Sequence, residues 1–215
     1  EWWQTVDRAS ITLPAAGDHL SRTIASTIAY VLINRDGPAI QPGSRSYERS
    51  WIRDGALTSA AMLRFGHADA VRDFLLWYAP NQYPNGKIPC CVDRRGADPV
   101  PEHDSHGEFI FLAMEYFRHT GDRATLGRMW PYVVAATHYM DSLRALPVDD
   151  TLYRGLFPPS ISHEGYSAKP MHSYWDDFFG LRGYKDATAM ARVLGHAEAA
   201  EHLARSEAEF ARDIY

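Results

Sequence analysis

Residues 65–75 read FGHADAVRDFL, residues 120–130 read TGDRATLGRMW, and residues 194–204 read LGHAEAAEHLA. In each stretch a helical pattern stops at a glycine (Gly66, Gly121, Gly195) and another begins within a few residues. So short a link folds the second helix back on the first, so each stretch is the tip of an antiparallel hairpin. Working outward, the 3.6-residue apolar spacing predicts helices over about 18–34, 51–65, 68–78, 104–119, 123–146, 172–194 and 197–215. Pro131 falls inside the fifth of these, where a kink is expected. No alternating segment of useful strand length occurs, which leaves room only for short β pieces in the loops.

Three long connections separate the hairpins, each well above the usual few residues. Successive helices are antiparallel, so the short links gather at one end and the long ones at the other. The chain is thus a loose repeat of helical hairpins, and such helices need neighbours to bury both faces. The expectation is one all-α domain over residues 1–215, a barrel or solenoid, with function in the long loops at one end.

Composition narrows the function. Hydrophobic residues make up 46% and charged residues 23%, the balance of a chain that builds a core. A net charge of −5 gives no basic face for nucleic acid. No apolar run reaches the roughly 18 residues of a membrane span; the best candidate, residues 24–33, is broken by Ser26 and Thr27. Cys90 and Cys91 are adjacent, a spacing that disfavours a bridge between them, and they read as small loop residues. The six Trp and twelve Tyr suit either a bulky core or stacking against sugar rings.

Three clusters carry candidate chemistry. SYERSWIRDG places Trp51, Arg53 and Asp54 at the start of the second helix. Asp54 there complements the helix dipole. Arg53 and Asp54 can also donate to and accept from vicinal hydroxyls while Trp51 stacks on a ring. VPEHDSHGE sets Asp104, His106 and Glu108 at the start of the fourth helix, with Asp104 and Glu108 four residues apart on one face. Neither HExxH nor another metal signature is present, and no nucleotide-binding glycine pattern occurs, so no metal or cofactor is expected. HEGYSAKPMHSYWDD carries Glu164, Tyr166, Trp175, Asp176 and Asp177. A loop carboxyl among aromatics, such as Glu164, can have its pKa raised by partial desolvation, as a general acid requires.

WIRDG is similar to the W-x-R-D motif of glucoamylase-like glycoside hydrolases of the six-hairpin, (α/α)6-barrel superfamily. HDSHGE resembles their Q-x-D-x-Y-G-E stretch, with His103 and His106 in place of Gln and Tyr. HEGYSAKPMHSYWDD resembles the loop that carries their general acid, though without the common W-E pair. The resemblance spans roughly residues 43–195. It implies an (α/α)6 barrel, of whose twelve helices about seven are present. It also implies that Arg53 and Asp54 hold a sugar, with Trp51 beside them, and that Glu164 is the acid. In trehalase-like relatives an aspartate serves as acid, which makes Asp176 or Asp177 the alternate.

The resulting expectation is a glycoside hydrolase, inverting and acting from the non-reducing end. Its pocket would be lined by Trp51, Tyr166 and Trp175 and completed by Asp104, His106 and Glu108. The second carboxylate would be Asp104, Glu108 or Asp177, or would lie beyond Tyr215, and an open barrel edge would favour self-association. Two other readings share the fold. One is a non-catalytic helical-repeat module that binds carbohydrate or protein; the other is a lyase or epimerase using His103, His106 or His163.

Overall fold

The helical periodicity is realised almost residue for residue. A computed structural model describes residues 1–162 and 169–215. Among them are eight α-helices: α1 (Trp2–Val6), α2 (Asp18–Ile33), α3 (Ile52–Arg64), α4 (Ala68–Tyr78), α5 (Asp104–Thr120), α6 (Arg123–Arg144), α7 (Tyr174–Leu194) and α8 (Ala197–Ile214). The five-residue α1 had no periodic signal. Its Val6 joins Ile28 and Ala29 of α2 in a small cluster apart from the main core. A helix initiated near His172 in the sequence reading instead begins at Tyr174. α6 remains one helix through Pro131.

One small sheet interrupts the helices. β1 (Ser50–Trp51), β2 (Cys91–Asp93) and β3 (Gly96–Ala97) pair antiparallel in that order. Strands of two or three residues are too short to leave an alternating pattern. The sheet nonetheless fixes the approach to α3, because Ile52 N donates to Cys90 O at 3.0 Å.

The hairpin tips turn as expected. Gly66, Gly121 and Gly195 take φ of +82°, +68° and +87°, a left-handed conformation that glycine adopts without a Cβ penalty. Past Gly121, Asp122 Oδ1 accepts from Thr125 N at 3.0 Å and caps α6.

The helices form two rows. α3 packs on α5 and α5 on α7, the most extensive helix pairing among the described residues. These form the inner row. α4 touches α3 and α5, α6 touches α5 and α7, and α8 lies along α7 as the outer row. Phe74, Tyr78, Phe109, Ile110, Met140, Tyr184, Met190 and Phe210 are fully buried between the rows. Each such side chain contributes about 1.5–3 kcal/mol by leaving water. Each outer helix runs back along the inner helix before it, so α3, α5 and α7 all begin at the long-connection end. None of the helices is long and apolar enough to cross a membrane.

Candidate functional site

The first turns of the three inner helices meet around one residue, Asp104. It is the first residue of α5 and has no exposed surface. Its Oδ2 accepts from Arg53 Nε of α3 at 2.7 Å and from Trp175 Nε1 of α7 at 2.8 Å. Glu102 holds the same guanidinium, accepting from Nη2 at 2.7 Å. Burial by itself would lower the Arg53 pKa. Asp104 and then Glu102 outweigh it and hold the guanidinium charged far above its usual range. Two acceptors on separate nitrogens lock the planar fork in one orientation.

The third first turn is pinned by Asp176. Its Oδ1 accepts the Asp104 backbone N–H at 3.2 Å, satisfying a donor that the α5 N-terminus leaves without a helical partner. No side chain of α5 itself caps that terminus. The cap comes instead from an acceptor on another helix. Asp176 Oδ2 accepts from Ser160 at 2.5 Å, and Ser162 Oγ accepts from His103 N at 3.0 Å. The next residue, Asp177, accepts from Phe157 N at 3.0 Å. Both aspartates are therefore occupied in tying the loop before α7 to the helix starts.

Beside this junction opens a cleft of about 470 Å³, lined by Arg53, Asp54, Leu57, Thr58, Ser162, Ser173 and Trp175. Trp175 is 43% exposed, so its bond to Asp104 leaves much of the indole in the cleft wall. The candidate residues thus separate. Arg53, Asp54 and Trp175 line the cleft. Asp104, Asp176 and Asp177 lie behind it as supports. Trp51 is not in the lining; it stands beside Tyr47 and under the Arg49 guanidinium, 5.2 Å from its ring centre.

His106 and Glu108 lie deeper still. His106 Nδ1 accepts from Ile88 N at 3.2 Å, which makes it a strut for the loop before β2. Burial and then His103 push its pKa well below the usual value, so it stays neutral. Glu108 is fully buried, and neither carboxyl oxygen has a partner among the described residues. Burial and then Asp104 raise its pKa far above the carboxylate range, so it too is neutral. Glu164, Tyr166 and His163 lie outside the described residues.

Sequence reading missed Glu102, the second acceptor on Arg53, and the serines Ser160 and Ser162. Glu102 had a signal: it lies in the VPEHDS stretch, two residues before Asp104. The serines had none, since a loop serine is unremarkable until its partner is known.

Asp176 carries a measurable pH signature. Burial, then the Asp104 carboxylate, lift its pKa to about 7, against hydrogen bonds from Ser160 and Ser162. Between about pH 4 and pH 7 the unfolded chain has then lost this proton while the folded chain keeps it. The residue's contribution to stability is therefore full below about pH 4 and is lost as pH rises towards 7. The slope reaches up to about 1.4 kcal/mol per pH unit. Asp176→Asn should lack that slope. His103, whose pKa burial and Lys87 lower to about 4, contributes in the opposite sense but equally to both proteins. Urea midpoints of both proteins from pH 4 to pH 8 check this, and parallel curves would refute it.

Fold and site together define a chain of helical hairpins with a polar and aromatic cleft at the loop end. No protein-family model and no curated protein matches it. Among solved structures it is similar to an α-L-rhamnosidase from Dictyoglumus thermophilum, with a TM-score of 0.67 and 13% sequence identity. The match covers 89% of this chain and 22% of that chain, so this chain corresponds to under a quarter of the rhamnosidase. At that identity the likeness establishes the fold.

Proposed function

We propose that the chain belongs to a glycoside hydrolase and supplies its sugar-holding cleft and its general acid. The observation that carries this reading is the Arg53 guanidinium, locked by Asp104 and Glu102 at the edge of a cleft walled by Trp175. A fixed guanidinium edge donates to vicinal hydroxyls, Asp54 in the same wall offers acceptors, and an exposed indole packs on a sugar's C–H face. Glu164 follows the cleft residue Ser162 by two positions in sequence, and the resemblance to glucoamylase-like enzymes gives it the acid's role. It would protonate the glycosidic oxygen as water attacks the opposite face, activated by a second carboxylate about 6.5–9.5 Å away.

Charge narrows the substrate. Asp54, Glu102 and Asp104 surround a single Arg53, which favours neutral sugars over uronates. That disfavours the lyase reading, because β-elimination depends on a carboxylate that acidifies the proton removed. Among the described residues no histidine lines the cleft, which also speaks against proton transfer at carbon by His103 or His106.

Reducing-sugar release from a panel of neutral α- and β-linked glycosides, with matched uronides, tests the proposal. The longest native form of the protein and its Glu164→Gln variant should be compared. Release from neutral glycosides is expected, and the variant should lose it while still binding sugar. Full turnover by Glu164→Gln would remove Glu164 from the role. Binding without cleavage by the native protein would favour a carbohydrate-binding module.

A further inference from the structure

The two cysteines take no part in the cleft, yet their placement is specific. Cys90 and Cys91 are free and almost fully buried, and their sulfurs face each other at 3.6 Å, Cys90 donating to Cys91. The tight turn between β2 and β3 returns the chain so that Asp98 N donates to Cys91 O at 2.9 Å. This brings an Asp98 carboxylate oxygen into a group with the two sulfurs, all three atoms within 4.8 Å of one another. The Asp98 carboxyl is fixed in place: its Oδ2 accepts from Arg49 and its Oδ1 accepts from Val100 N at 3.0 Å.

Two thiolates bound tetrahedrally at about 2.3 Å from a metal stand about 3.8 Å apart. The observed separation is close to that chelate bite without rearrangement. A pair of cysteines buried only as small apolar residues has no need of a neighbouring carboxylate. We propose that Cys90, Cys91 and Asp98 form a binding site for a thiophilic divalent cation of the zinc class, with water in the fourth position.

The charge balance closes. Binding forms two metal–sulfur bonds and one metal–oxygen bond, and the two thiol protons leave to solvent. Two thiolates, one carboxylate and the ion sum to −1. The Arg49 guanidinium, 2.5 Å from Asp98 Oδ2 and 3.1 Å from Asp93 Oδ2, supplies the compensating charge. The site also adjoins the cleft's support. Cys91 is the register partner of Trp51, and Cys90 O accepts from Ile52 N, the residue before Arg53. A bound ion would therefore stiffen the turn that presents Arg53.

Titration of the fully reduced protein with Cd²⁺ tests this. One equivalent should bind and produce an ultraviolet thiolate-to-cadmium charge-transfer band. Cys90→Ser and Cys91→Ser should each abolish the band, and Asp98→Asn should weaken binding while leaving the band's position. In the unmodified protein, Zn²⁺ should raise the melting temperature, a readout that needs no variant to fold. Absence of the band while both thiols titrate as free would overturn the proposal, as would a band that persists in both serine variants.

Discussion

Asp104→Ala is expected to lower folding stability by about 3–5 kcal/mol, the typical loss when one partner of a buried ion pair is removed. The carboxylate has no exposed surface and accepts from both Arg53 and Trp175, each within 2.8 Å. Its loss strands the Arg53 Nε–H and the indole N–H together. Glu102 keeps its bond to Nη2, so the guanidinium is not wholly abandoned, but its orientation is no longer fixed. Sugar binding should therefore fall with stability. Removing both charges at once, in an Arg53→Met and Asp104→Leu double variant, should cost less than the two single changes added together. Urea denaturation of Asp104→Ala, of the double variant and of its two single changes provides the check. A change below about 0.5 kcal/mol in Asp104→Ala would mean that the junction is held by something else.

The second large effect concerns a glycine that no catalytic reading would select. A Cβ on Gly107 would come within 1.9 Å of Phe179 O and 2.9 Å of Gly180 N. Across the same contact, a Cβ on Gly183 would stand 2.8 Å from Gly107 Cα. α5 and α7 thus touch backbone to backbone here. That closeness lets Asp176 reach the Asp104 amide and Trp175 reach its carboxylate. Neighbouring side chains cannot rotate out of the way, because the obstacle is main chain. Gly107→Ala should cost about 3 kcal/mol or more, at or beyond the usual range for overpacking, and should loosen the cleft. Gly127, in α6, is the control: an added Cβ there meets no described atom within 4 Å. Gly127→Ala should stabilise by up to about 1 kcal/mol through helix propensity. Thermal melts of the two variants should therefore shift in opposite directions, and equal shifts would contradict the close approach.

Much of the site was named by sequence but not sorted by it. Arg53, Asp54 and Trp175 were candidates for holding a sugar, and all three line the cleft. Asp104, His106 and Glu108 belonged to the same candidate set, yet all are fully buried behind it. One helical face brings Asp104 and Glu108 together, but only the position of α3 and α7 decides whether that face meets water or protein. The resemblance could not decide this either, since a short motif records residue types and not their exposure.

The sequence by itself determined the helices, the hairpin tips and the gathering of long loops at one end. These follow from interactions only a few residues apart: the 3.6-residue apolar period and glycines able to adopt positive φ. The tertiary structure alone decided which carboxylate supports and which faces the cleft. It paired Arg53 with Asp104 and Trp175 with Asp104 across 51 and 71 residues. It turned Glu102 into the second anchor of a guanidinium. It also brought Asp98 beside two cysteines that sequence spacing had read as inert. Burial, desolvation and ion pairing depend on distance through space, which the order of residues along a chain does not record.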